Sequence, residues 1–144
     1  MERGRLPSHD FFFNSGVRNG NLTIVDWCIK HHPYLLNTKD RDGWGPLHNA
    51  SHFEQCSTAL SLLRAGANPN DEHDETGDSV IHLACGKKRN VRLVQALIET
   101  YGVSPNQKNV RLTTPLMIAV KLGHRDIVNY LLAHGSCVHD QNYR

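Results

Sequence analysis

Apolar residues fall along this chain in short blocks of helical spacing, separated by polar stretches that carry glycine. Ala59, Leu62 and Leu63 make one block, Leu93, Val94, Leu97 and Ile98 a second, and Ile127, Val128, Leu131 and Leu132 a third. Spacing of i, i+3 and i+4 puts each set on one face of a helix. Each block stops at a glycine, Gly66, Gly102 or Gly135, the residue best suited to leave a helix through left-handed backbone. Asn68-Pro69-Asn70 and Ser104-Pro105-Asn106 then supply turn chemistry.

A shorter block precedes each of these. Gly43-Trp44-Gly45-Pro46-Leu47-His48-Asn49-Ala50 recurs as Gly77-Asp78-Ser79-Val80-Ile81-His82-Leu83-Ala84 and as Leu112-Thr113-Thr114-Pro115-Leu116-Met117-Ile118-Ala119. His48 and His82 are 34 residues apart, and His82 and Met117 are 35 apart. A fixed period of this length is the signature of a repeat architecture. Each copy predicts two short antiparallel helices, and one copy cannot bury its apolar face alone. Thr114 and Ser79 can cap the first helix of their copies, and Pro46 and Pro115 sit in the first turn, where the missing N–H is not needed.

The Thr114-Pro115-Leu116-Met117-Ile118-Ala119 opening and the Leu131-Leu132…Gly135 close resemble the ankyrin repeat. A degenerate first copy fits as well, from Phe11 through Gly16, Gly20-Asn21, Ile24-Val25 and Cys28-Ile29 to Asn37. The resemblance covers residues 9–142 and implies an all-α ankyrin-repeat solenoid of about four helix-turn-helix repeats with projecting β-hairpin loops. The expected copies are residues 9–37, 38–70, 71–106 and 107–142. They form a single domain over 9–144, behind a flexible N-terminal extension at 1–8. Met117 and Leu112 depart from the pattern, standing at a motif histidine and a turn glycine. Thr58 and Ser61 put polar groups on a face that is apolar in other copies. The third copy is longer around Lys87–Asn90 and Thr100–Gly102, where loop enlargements are expected.

The two ends read differently. Arg18, Asn19, Asp26 and Lys30 give the first copy the polar positions of a capping repeat. The last copy reads as an internal one, so Ile127, Val128 and Leu131 are expected to leave an apolar face. That face implies either a longer parent protein or a self-association surface.

Bulk composition narrows the function classes. With 39% apolar and 21% charged residues, the chain is expected to fold. A net charge of +2 and a pI near 8.4 fall short of a nucleic-acid footprint. No apolar run approaches the ~20 residues of a membrane span, and Met1-Glu2-Arg3-Gly4-Arg5 does not lead into a signal sequence. Cys28, Cys56, Cys85 and Cys137 lack paired spacing, and reduced buried thiols in a cytoplasmic or nuclear protein are the favoured reading.

Candidate chemistry is sparse. His48 and His52 share the i, i+4 spacing of a zinc pair, but Asn49 stands where a general-base glutamate belongs. His134, Cys137 and His139, with His124 near, offer metal-ligand types on what the repeat makes a turn. Cys56 and Cys85 have no local signature of a nucleophile. No catalytic residue, cofactor, metal or small-molecule substrate is expected, and the chain reads as no enzyme. The resemblance makes Asn70 and Asn106 candidates for β-hydroxylation, although a turn asparagine is the plainer reading. Lys87-Lys88-Arg89 is a solvated loop or an electropositive rim.

What the resemblance implies is a protein-binding scaffold, its contacts on the loop tips and the concave side of the first helices. On this chain those positions are Arg41, Asp42, Trp44, His52 and Phe53, then Glu75, Asp78 and Lys87. Val110, Arg111, Thr113, Lys121 and Leu122 continue the row, and Arg18 and Asn19 begin it. Trp44 and Phe53 lie off the recurring core positions, and large aromatics dominate many interfaces. Trp44 is open to two readings, partner contact with little effect on stability or packing onto its neighbour. Alternatives for the whole chain are an assembly module stacking through its last repeat, or the regulatory repeat region of a larger enzyme or channel.

Overall fold

Helix pairs repeat along the chain in a single row. A computed structural model describes residues 9–136, so the expected extension at 1–8 and the candidates Cys137 and His139 lie outside the described residues. The pairs are α1 (His9–Asn19) with α2 (Leu22–His31), α3 (Pro46–His52) with α4 (Cys56–Arg64), α5 (Val80–Cys85) with α6 (Val91–Glu99), and α7 (Pro115–Leu122) with α8 (Arg125–Ala133). The first helices α1, α3, α5 and α7 pack in sequence as one layer, and α2, α4, α6 and α8 pack as a second.

Local chemistry starts each helix where the pattern predicts. Thr114 caps α7, its hydroxyl accepting from Met117 N at 3.3 Å, and Asn21 caps α2 by accepting from Ile24 N at 3.2 Å. Ser79 stands at the N-cap of α5, and Pro46 and Pro115 occupy the first turns of α3 and α7. The repeated small residue permits close packing: a Cβ on Gly16 would lie 3.0 Å from the Ile24 side chain.

The core runs through all four copies and contains Phe13, Val25, Leu47, Leu62, Ile81, Leu97, Leu116 and Ile127. Thr58 is buried in it despite its hydroxyl, and Ser61 is half-buried and donates to Asp26 at 3.1 Å.

Several expectations are corrected. Among the described residues the projecting loops are not β-hairpins; the single bridge pairs Glu72 with Ser79. A few backbone bonds cross each loop, as Asp40 N to Trp44 O and His73 N to Asp78 O, both at 2.9 Å, and side chains add to them, as Asp40 does by accepting from Asp42 N and Trp44 N at 2.9 and 3.0 Å. The third copy is longer between its helices, as expected: residues 86–90 separate α5 from α6 where residues 53–55 separate α3 from α4. A 3-10 turn at Lys88–Asn90 runs directly into α6, while Thr100 and Tyr101 both donate to the Ala96 carbonyl. In the last copy Ile127 and Leu131 are buried, while on its helices Val120, Leu122 and Leu132 are exposed. Nor is the first copy a polar cap, because Phe12 and Trp27 are exposed on its outer side.

Candidate functional site

Three imidazoles tie successive loops together and so fix the surface above α3 and α5. His48 accepts from Gly45 N through Nδ1 at 3.3 Å, and its Nε2 lies 3.1 Å from the Asp71 carbonyl of the next copy. His82 repeats this, with Nδ1 accepting from Ser79 N at 3.2 Å and Nε2 2.9 Å from the Thr113 carbonyl. His73 reaches back, with Nε2 2.6 Å from the Asp42 carbonyl. Met117, at the same position in the fourth copy, keeps only the local half, its sulfur accepting from Thr114 N at 3.4 Å. Burial holds the His48 imidazole below its ordinary value, which keeps it neutral for these bonds. With both ring nitrogens engaged by backbone, His48 is not poised as a ligand beside His52.

Trp44 packs against His73 at a tilt of 40° with ring centroids 4.1 Å apart and meets His48 at 5.3 Å, so its half-buried ring joins the second loop to the third. Packing onto its neighbour is therefore present. Phe53 is 45% exposed just past the end of α3, edge-on to His52 at 4.9 Å, with the Arg18 guanidinium 6.0 Å above its ring.

These residues share one hollow of about 350 Å³ on the first-helix side, bounded by Trp44, Phe53, His52, Arg18, Asp42 and Asp78. Asp40, Asn49 and Leu83 line it as well. Burial alone would raise the Asp40 carboxyl, but the Trp44 N–H, the Asn49 amide, the Asp42 N–H and nearby Arg18 outweigh it and hold it below its ordinary value. Asp78 is tied to the fourth copy, accepting from Asn109 Nδ2 at 2.8 Å. An aromatic wall beside fixed carboxylates can seat an apolar side chain while accepting from N–H groups or a cation.

The remaining candidates lie elsewhere. Arg41 borders the adjoining, wider hollow of about 810 Å³ against α1, which also takes in Asn19. Glu75, Arg111, Lys121 and Leu122 are exposed and Lys87 is half-buried, none of them on the Trp44–Phe53 hollow. Val110 is exposed and Thr113 half-buried; both bind the third loop or its helix, Val110 N donating to the Thr76 carbonyl. Lys88 and Arg89 are exposed, with Glu54 accepting from Arg89 N at 3.4 Å. Asn70 and Asn106 are exposed at turns; Asn70 accepts from Gln107 at 3.1 Å, and Asn106 donates to the Gly135 carbonyl at 3.1 Å. Burial pushes up the Cys56 and Cys85 thiols, which opposes a nucleophilic thiolate. His124 binds the Cys85 carbonyl and His134 the Tyr130 carbonyl. Among the described residues no helix is long and apolar enough to cross a membrane.

Sequence reasoning missed Asp40, Asn49 and Leu83 as lining residues. Asp40 carries a readable signal, a carboxylate three residues before a turn glycine. Leu83 carries none, because its exposure depends on how far the loops lean.

Comparison with known proteins agrees with this geometry. The chain is 26% identical over 138 residues to the armadillo (Dasypus novemcinctus) ankyrin repeat, SAM and basic leucine zipper domain-containing protein 1, covering 92% of this chain and 28% of that protein. It is 26% identical to human Rabankyrin-5 over 95% of this chain and 11% of the relative, and 35% identical to human neurogenic locus notch homolog protein 4 over 63% and 4%. The chain thus spans less than a third of the length of each. Residues 47–142 match the model for three copies of the ankyrin repeat. Repeats of this kind are generally protein–protein interaction modules and typically non-catalytic. Since the match takes in α3 through α8 and the loops that His48, His73 and His82 hold together, this chain belongs to the ankyrin repeat family.

Proposed function

We propose that this chain is a binding scaffold for a segment of a partner protein, held in the hollow between Trp44 and Phe53. The observation that carries this reading is Phe53, a large aromatic 45% exposed on the wall of a concave site. A monomeric surface gains nothing from exposing such a ring, and burying it against a partner is favourable. Asp42 and Asp78 on the rim favour a segment that brings N–H donors or a cationic side chain beside its apolar anchor. No cofactor or turnover is part of this reading.

Affinity capture followed by titration of the captured partner tests it. Phe53→Ala is expected to weaken binding by about 2 kcal/mol or more, with a melting temperature close to wild type because the ring is not in the core. Unchanged affinity in Phe53→Ala would refute the assignment. Trp44→Ala serves less well as a probe, since losing the ring contact with His73 also costs stability. Arg111→Ala and Lys121→Ala, on the fourth copy, show whether contact is confined to the hollow or runs along the whole row.

A further inference from the structure

The copies share one register, and it sets charge along the hollow in a fixed pattern. Aligned on His48, His82 and Met117, Trp44 corresponds to Asp78 and Thr113, Asp42 to Thr76 and Arg111, and Phe53 to Lys87 and Leu122. Positions that correspond lie side by side where successive first helices pack, as α3 does on α5. Asp78 is therefore the neighbour of Trp44, and Lys87 the neighbour of Phe53.

At the loop end, before α3 and α5, the wall is acidic. Asp42 and Asp78 both line the hollow with Trp44, and among the described residues neither carboxylate is in an ion pair. Asp78 accepts only from the uncharged Asn109 amide, and Asp42 is held through its backbone, its N–H donating to Asp40 and its carbonyl 2.6 Å from His73 Nε2. Asp40 is already engaged, by the Asp42 and Trp44 N–H groups, by Asn49 and by Arg18 at 3.9 Å.

At the turn end, past α3 and α5, the surface is basic. Arg18 of the first copy lies 6.0 Å over the Phe53 ring, and Lys87 follows on the side of the third copy. Lys87 has no ion pair among the described residues, and it stands near enough to His52 to join burial in holding that imidazole below its ordinary value. Lys88 and Arg89 continue the positive rim, with no acid from Gly86 to Arg92. Leu83 of α5 lines the hollow between the two poles. The pattern stops at the fourth copy, where Arg111 stands at the register position of Asp42 and Lys121 at the other end of α7.

Taking the hollow as the binding site, we infer that the partner segment is bipolar: a lysine or arginine side chain meets Asp42 and Asp78, an apolar side chain covers Phe53 and Leu83, and a carboxylate meets Lys87. Charge complementarity then fixes the direction of the segment as well as its place. Turned end for end, it would set its cation against Lys87 and its acid against two carboxylates, which is repulsion at both poles. Moved one copy along, it would set its cation against Arg111. The six residues of α5 separate the poles by about 9 Å plus the flanking residues, and an extended chain advances about 3.3 Å per residue. Base and acid therefore stand about three to five residues apart in the partner.

The test is selection of binders from a library of random short peptides displayed on phage, with the 144-residue chain as bait. Selected peptides are expected to share one base and one acid at that spacing, in one order, around an apolar residue. Asp42→Lys and Lys87→Glu should each weaken a selected peptide about three- to tenfold, with unchanged helical circular dichroism. Changing the peptide's base to glutamate should restore binding to the first variant, and changing its acid to lysine should restore binding to the second. If either reversal fails to fold, Asp42→Asn and Lys87→Gln replace it, with a smaller loss. Phe53→Ala separates this inference from the reading it rests on. Peptides that need Phe53 but carry no charge order, ignore both reversals, or are not rescued by the complementary change would overturn the inference and leave the hollow as the site. A selection that yields no peptide dependent on Phe53 would overturn the hollow and the inference together.

Discussion

Residue 112 and residue 77 occupy the same turn position with opposite demands. Gly77 has φ +71°, and a Cβ there would lie 3.1 Å from the Val110 backbone nitrogen, where the fourth loop hydrogen bonds to the third. Leu112 has φ +62° and carries a full side chain in left-handed backbone. That conformation costs an ordinary residue about 1–2 kcal/mol, part of which glycine returns as entropy of the unfolded chain. Leu112→Gly is therefore expected to raise stability by about 1 kcal/mol. Gly77→Ala should lower it by about 2 kcal/mol through strain and loss of the loop contact. Urea denaturation of both variants checks the pair, and equal signs would contradict the account.

At the scale of elements, the first helices and their loops are joined by histidine side chains. His48 titrates below its ordinary 6.5 because burial disfavours the cation, and His52 is lowered in the same direction by burial and by Lys87. The unfolded chain thus binds more protons than the folded one just below pH 6.5. Stability is full above that value and is lost as pH falls toward the lower folded pKa. His48→Met should keep the local bond that Met117 makes, lose about 1 kcal/mol with the tie to Asp71, and flatten this acid limb. Thermal melts between pH 7.5 and pH 5 measure it; a slope unchanged by the substitution would assign the effect elsewhere.

Much of this level was readable from the chain. The apolar blocks place α4, α6 and α8, because helical spacing and a glycine stop are local signals. The loop of the third copy was not readable. It closes on His73, with Gly77 N donating to His73 O at 2.8 Å, whereas the second and fourth close on Asp40 and Asn109 one residue nearer their turn. Asp74 has the expected spacing, but the wider turn passes over it. Phe53 was legible as an aromatic off the core register. Leu83 and the true outer faces were not, since they depend on which neighbour covers which side.

Across the whole molecule, contacts run from each copy to the next, so opening at an end disrupts one interface and opening in the middle disrupts two. Cys28 in α2 and Cys85 in α5 are both buried, and burial raises both thiols. Neither reacts until its surroundings open. With a thiol reagent at low protein concentration, Cys28 is expected to label faster than Cys85, read by mass spectrometry of digested peptides. Equal rates would indicate one cooperative opening of all four copies.

A row joined only neighbour to neighbour also has a mechanical character. Tension applied at its termini meets the interfaces in series, and the weakest yields while the others hold. Each rupture frees about 34 residues, on the order of 110–120 Å of extended backbone. Under load the protein would pay out as a tether in discrete lengths, and slack would let it re-coil one helix pair at a time.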